Sequence, residues 1–218
     1  MSNRFNSMSF PNVHPRLLIG ILILFYTVGT VGLLIPAFRA DFLGLSPYNL
    51  VLTFAIAVLA YRKMSTSDLV FFAICYCISM LAEWIGTSTG WLFGSYYYGK
   101  NLGASIAGVP LVIGLNWWVL TVCSASISKR ISSSVVIRSL IGASLMTLLD
   151  VLMEPVAIKS DFWHWKDELI PIYNYVCWFA LSFLLHFAHS KLTSAASNKV
   201  FDVLFLILTL FFSIQLIF

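Results

Sequence analysis

Three acidic side chains, Glu83, Asp150 and Glu154, stand inside stretches that are otherwise apolar. An ionisable group in such a setting is costly and is a candidate for function by default. Glu154 follows Asp150 by four residues, so both sit on one face of a helix, one turn apart. At about 1.5 Å rise per residue, Glu83 lies roughly 21 Å along from Leu69 and Asp150 roughly 22 Å along from Val135. The two carboxylates can therefore meet at one depth if their helices run the same way. Three carboxylates in a low dielectric cannot all stay ionised cheaply, so at least one is expected to keep its proton as a general acid.

The loops after these helices are rich in rings. Trp84, Trp91, Phe93, Tyr96, Tyr97 and Tyr98 accompany Glu83, and Phe162, Trp163, His164, Trp165 and Tyr173 accompany Glu154. An interfacial aromatic belt explains part of this pattern. The functional reading is an aromatic-walled cleft for a long apolar ligand, with ring faces able to steady a cation. Asn116 and Asn174 either place a water or orient a carboxylate, or make polar contacts between helices. His164 is a proton relay or an exposed loop histidine. His14, His186 and His189 read as interfacial. No H-x-x-x-H occurs, so zinc is not expected, and the four cysteines, inside apolar stretches with no C-x-x-C, read as small buried hydrophobes.

The elements that must position these groups follow from composition. Of the 218 residues, 60% are hydrophobic and only 10% are charged, too few charges to clothe a water-soluble surface. The net charge of +4 comes from basic residues scattered singly or in pairs, which argues against nucleic acid and for topology signals. The chain is expected to be an all-α polytopic transmembrane bundle, a single domain over 1–218. About seven spans are expected, near 17–35, 48–61, 69–85, 106–127, 135–154, 172–189 and 200–218. Pro47 suits the start of the second, and Ser67-Asp68 and Ser197-Asn198 suit the starts of the third and seventh. Pro155 is expected to end the fifth. The first apolar run is too long for a cleaved signal and is expected to remain as a span after a cytoplasmic segment, 1–16. Nine Lys and Arg residues fall in the N-terminal segment and even-numbered loops against four in the odd-numbered loops, which predicts a cytoplasmic N-terminus. A cell-membrane, multi-pass protein follows, with its acidic and aromatic residues toward the outer face.

The ordered set of motifs resembles a known family. Glu83-Trp84-Ile85-Gly86, Phe93-Gly94-x-Tyr96-x-Tyr98, Gly108-Val109-Pro110-Leu111 and Asn116-Trp117 come first. Asp150-x-x-x-Glu154-Pro155-x-Ala157, Trp163-x-Trp165 and Pro171-x-x-Asn174-x-x-x-Trp178 follow. This set is similar to membrane-bound carotenoid biosynthesis proteins that act as end-group hydratases, of the carotenoid 1,2-hydratase and bisanhydrobacterioruberin hydratase type. It runs from about residue 17 to 190, with two departures: Cys177 stands where the family usually has Gly, and Leu92 where it has Pro. The resemblance implies hydration of the terminal isoprenoid double bond of an acyclic (ψ) carotenoid end, giving a tertiary alcohol with no cofactor. The substrate would be lycopene, γ-carotene or a related carotenoid, met within membrane lipid and alongside other carotenoid-pathway enzymes. Asp150 and Glu83 would be the acid–base pair, with Glu154 tuning them or positioning water.

Rival readings are a membrane prenyl or lipid transferase, a proton-coupled transporter and a non-catalytic pigment-binding protein. A transferase needs Asp-rich motifs for Mg²⁺-diphosphate, and Asp150-x-x-x-Glu154 is too sparse for that. A transporter needs a relay through the membrane, and the carboxylates are confined to one half.

Overall fold

The computed structural model describes residues 7–166 and 168–218, so part of the expected N-terminal segment, Arg4 included, lies outside the described residues. The chain runs through β1 (Met8–Ser9), α1 (Pro15–Leu34), α2 (Pro36–Gly44), α3 (Ser46–Tyr61), β2 (Lys63–Met64) and α4 (Thr66–Thr89). It continues with β3 (Tyr96–Tyr98), β4 (Ser105–Ile106), β5 (Val109–Pro110), α5 (Leu111–Ile131), α6 (Val135–Lys159), β6 (Trp163–Trp165), α7 (Ile172–Leu192) and α8 (Lys199–Ile217). The strands form three small antiparallel pairs, β1 with β2, β3 with β6 and β4 with β5. The mass of the molecule is helical.

Five helices are long and apolar enough to cross a membrane: α1, α4, α5, α6 and α8. The pair α2 and α3, bent by 57°, makes a sixth if counted as one span. The expected second span thus corresponds to the longer arm of a broken helix. In α7, expected as the sixth span, Asn174, Ser182, His186, His189 and Lys191 lower the apolar content, and it falls outside that group. The centre of the bundle is α5, whose most apolar window is 78% buried against 28–33% in the other four. On those four, apolar side chains such as Leu24, Val28, Ile137 and Leu206 remain exposed, as lipid-facing surfaces require.

The helix ends differ from the sequence expectations for local reasons. In α4 the cap is Ser65, not Ser67: the Ser65 side chain accepts from Asp68 N and Asp68 Oδ2 accepts from Ser65 N at 2.9 Å, a reciprocal box. Its other end runs past 85 to Gly90, whose left-handed backbone at φ 72° closes the helix with its N–H donating to Gly86 O at 2.8 Å. Asn198 caps α8 as expected, accepting from Val200 N at 2.9 Å. Residues 106–110, expected as the start of the fourth span, form with Ser105 the hairpin β4–β5 instead. Its two-residue turn places Ala107 and Gly108 at φ 51° and 82°.

Pro155 does not end α6, which continues to Lys159 with the proline inside. Proline removes one N–H from the ladder, a loss that membrane helices tolerate when neighbours satisfy the freed groups. The turn beyond the proline is held separately: Val156 and Ala157 are buried, and carbonyls at the end of the helix take donors from outside it. Arg39 Nη2 donates to Lys159 O, Asn101 Nδ2 to Ser160 O and Phe162 N to Ala157 O. The extra turn carries the chain to β6.

Contacts sort the loops into two ends. At one end β1 meets β2, Asn198 Nδ2 donates to Ala60 O, and Arg130 pairs with Asp202 at 2.7 Å. At the other, Arg39 meets Lys159, and β3 pairs with β6. Basic residues at 16, 62, 63, 129, 130, 138, 191 and 199 border the helix ends on the first side. His186 and His189, expected at an interface, are instead buried. His186 bridges Ser124 Oγ at 2.8 Å and Ser182 O at 2.7 Å, which joins α5 to α7 in the interior.

Candidate functional site

The site lies at the end opposite this basic ring, where α4, α5, α6 and α7 meet beneath the β3–β6 ribbon. Strand side chains alternate between faces. In β3, Tyr96 and Tyr98 therefore point inward and Tyr97 outward. In β6, paired with β3 as Tyr96 with Trp165 and Tyr98 with Trp163, the two tryptophans point inward and His164 outward. The motifs Tyr-x-Tyr and Trp-x-Trp are two strands each offering one aromatic face to the helices.

That face holds the carboxylates. Glu83 Oε2 accepts from the hydroxyls of Tyr96 and Tyr98, the latter at 2.7 Å, and Oε1 accepts from Trp117 Nε1 at 2.9 Å. Glu154 Oε2 accepts from Trp163 Nε1 at 3.0 Å and Trp165 Nε1 at 2.8 Å. Asn174 Nδ2 donates to Glu154 Oε1 at 3.2 Å and to Asp150 Oδ2 at 2.9 Å. Two carboxylates are each held by three donors, five of the six belonging to aromatic side chains. Such donors satisfy charge in a dry setting and fix each rotamer. Gly86 lets the ribbon come so close, since a Cβ there would stand 2.9 Å from the Tyr96 hydroxyl. Burial first, and then the Glu83 charge, push the Tyr96 and Tyr98 phenols well above the ordinary tyrosine range, so both remain donors.

A cavity of about 410 Å³, counted with the open space at its mouth, lies between these groups. Glu83 and Glu154 line it from different helices, together with Phe93, Tyr96, Tyr98, Asn116, Trp117, Trp163, Trp165, Asn174 and Trp178. The Trp117 and Trp178 rings stack at 4.1 Å between centroids. Asp150 does not line the cavity. It is fully buried one turn below Glu154 on α6, reached through Asn174, and its Oδ1 has no hydrogen-bond partner among the described residues.

Of the residues singled out from the sequence, eleven line this one cavity and Asp150 stands behind it. Trp84 and His164 lie elsewhere. Trp84 follows Glu83 but projects from another face of α4 and is 46% exposed. His164 Nε2 bonds Asp161 Oδ1 at 2.7 Å, and this bond, the largest influence, holds the exposed Asp161 carboxyl below its usual range. Ile113 and Met153 also line the cavity and carry no sequence signal beyond helical spacing. Ile113 lies one turn before Asn116 and Met153 directly before Glu154, but apolar residues in an apolar helix do not stand out.

Chemically, the cavity offers two rigidly held carboxylates, an amide, stacked indoles and apolar walls. That set can move a proton to and from a hydrocarbon and shelter a carbocation between. Residues 44–217 match the family described as "Carotenoid biosynthesis protein". A curated relative, the bisanhydrobacterioruberin hydratase of Haloarcula japonica, is 28% identical over 109 residues, covering 44% of this chain and 36% of that protein. The chain thus spans little more than a third of that relative's length. No solved structure matches it.

Proposed function

Because the chain belongs to the carotenoid biosynthesis protein family, we propose that it is a membrane hydratase adding water to the terminal isoprenoid double bond of a ψ carotenoid end. The observation that carries this reading is the pair of carboxylates, Glu83 and Glu154, on different walls of one aromatic cavity. Each is already engaged by N–H or O–H donors, an arrangement suited to proton transfer rather than to gripping a metal-diphosphate.

In this reading Glu154 gives its proton to the less substituted alkene carbon. The π pair forms the new C–H bond and leaves a tertiary cation on the dimethyl carbon. The Trp117 and Trp178 faces and the Glu83 charge stabilise that cation. A water held by Asn116 adds through oxygen, and Glu83 takes the released proton. A proton passing back to Glu154 through cavity water resets the site, so the balance is one alkene and one water to one tertiary alcohol. Asp150 sets the proton affinity of Glu154, since two like charges one turn apart are costly to carry together. Lycopene or γ-carotene suits the cavity by its end group, with the remainder of the polyene in lipid. The protein would work in the cell membrane, N-terminus cytoplasmic and cavity toward the outer face, handing its alcohol to other carotenoid-pathway enzymes.

Expression in a host that accumulates lycopene or γ-carotene is expected to yield carotenoids heavier by one water, detected by mass spectrometry. Membranes that contain the folded protein yet no such product would overturn the hydratase reading and leave a pigment-binding role.

A further inference from the structure

The cavity is closed on one side by a segment unlike the rest of its wall. The tyrosines and tryptophans of the ribbon are fixed by hydrogen bonds to the carboxylates, and the helices by their own ladders. Between Gly90, which ends α4, and Ser95, before β3, the chain has no helix or strand. Three of its residues have left-handed backbones: Gly90 at φ 72°, Phe93 at 66° and Gly94 at 115°. Glycine accepts such angles freely, but a bulky aromatic residue does so only under constraint, and such strain concentrates at moving or functional sites.

The Phe93 side chain is nonetheless 2% exposed and lines the cavity, its ring 6.4 Å from that of Trp117 and 6.2 Å from that of Tyr96. The segment crosses from the end of α4 to the start of α7. A Cβ on Gly94 would stand 2.8 Å from Pro171 Cγ, and Tyr173 OH donates to Trp91 O across the gap at 3.0 Å. Beside this closure the surface is apolar and open, with Trp91 77% and Ile172 80% exposed. Phe93 has no backbone hydrogen bond to any described residue, and the Tyr173–Trp91 bond is exposed and therefore weak.

We propose that the segment 90–94 is a lateral gate, in which Phe93 swings out between α4 and α7 to admit the branched end of a long apolar chain sideways from the bilayer. The inference rests on the hydratase reading for the identity of the chain but not for the motion. The two glycines supply the hinges and the strained phenylalanine the latch. Entry from the side lets a polyene keep its body in lipid, while the hydrogen-bonded ribbon overhead stays in place.

The test compares two equally buried positions, Phe93→Cys and Leu102→Cys, in a Cys77→Ser background reconstituted in lipid vesicles. Leu102 is 3% exposed and lies outside the segment. With N-ethylmaleimide, Cys at 93 is expected to react at least about tenfold faster than Cys at 102, because only the former is uncovered by local opening. Added lycopene should slow labelling at 93 and leave 102 unchanged. Equal slow rates at both positions would overturn the gate. If Phe93→Cys fails to reach the membrane, hydrogen exchange of the 91–95 amides in the unmodified chain serves. Exchange at 91–95 at least about tenfold faster than at the 101–103 amides supports the gate, and equal rates overturn it. Neither readout needs turnover, so failure of the gate and failure of the hydratase reading are separate results.

Discussion

Glu83→Gln is expected to lower formation of the hydrated carotenoid by about 10²- to 10⁴-fold, the range for loss of a general acid or base. Glutamine keeps the volume but not the charge, so it can neither take the proton from water nor offset the cation. It also fits its donors poorly. Two hydroxyls converge on Oε2 and one indole N–H on Oε1. An amide oxygen at the first position turns its NH₂ toward Trp117, leaving one buried donor unsatisfied at a cost of about 1–3 kcal/mol. The variant should therefore still reach the membrane, with a lower melting temperature and almost no product. Assay of membranes matched for protein content reads both effects, and full activity would move the chemistry elsewhere.

The second large effect separates the two acids of α6. Glu154→Gln is expected to lose activity to the same extent as Glu83→Gln, within about 10²- to 10⁴-fold, because it removes the cavity-lining carboxyl proposed as the proton donor. Asp150→Asn is expected to lose only about tenfold, since Asp150 is proposed to act through Glu154 and an asparagine oxygen still accepts from Asn174. The profile of rate against pH should also shift in Asp150→Asn, as a lost like charge alters a neighbouring acid. The reverse order, with Asp150→Asn inactive and Glu154→Gln near normal, would assign the donor to Asp150.

The placement of these side chains shows how far the residues alone could lead. The membrane class and the helical bundle were legible because apolar runs and scarce charges leave no other packing. The three carboxylates were legible because an acid inside an apolar helix is conspicuous. Which of them face the cavity was not. Counting 1.5 Å per residue along each helix matches Glu83 with Asp150 in depth, but depth says nothing of which way a side chain faces. The ribbon above the cavity is built by pairing residues 96–98 with 163–165, a contact across distant parts of the chain that no local pattern announces. That pairing turns Tyr96, Tyr98, Trp163 and Trp165 inward and His164 outward, so a histidine that stood out among the aromatics is removed from the site. Pro155 marks a helix end only for an isolated segment. Packing of Val156 and Ala157 and donors from Arg39 and Asn101 carry α6 beyond it, which swings β6 into reach of Glu154. The burial of His186 against the Ser124 hydroxyl of α5, and of His189 against the Phe71 ring of α4, likewise rests on partners that spacing along α7 does not reveal.

The most direct measurement uses the purified protein in lipid vesicles loaded with lycopene, in water enriched in heavy oxygen and without added cofactor. A tertiary alcohol carrying one heavy oxygen at each hydrated end is expected, formed by the unmodified chain and not by Glu83→Gln or Glu154→Gln. Unchanged lycopene in all three preparations, or an alcohol whose oxygen does not come from water, would contradict the account.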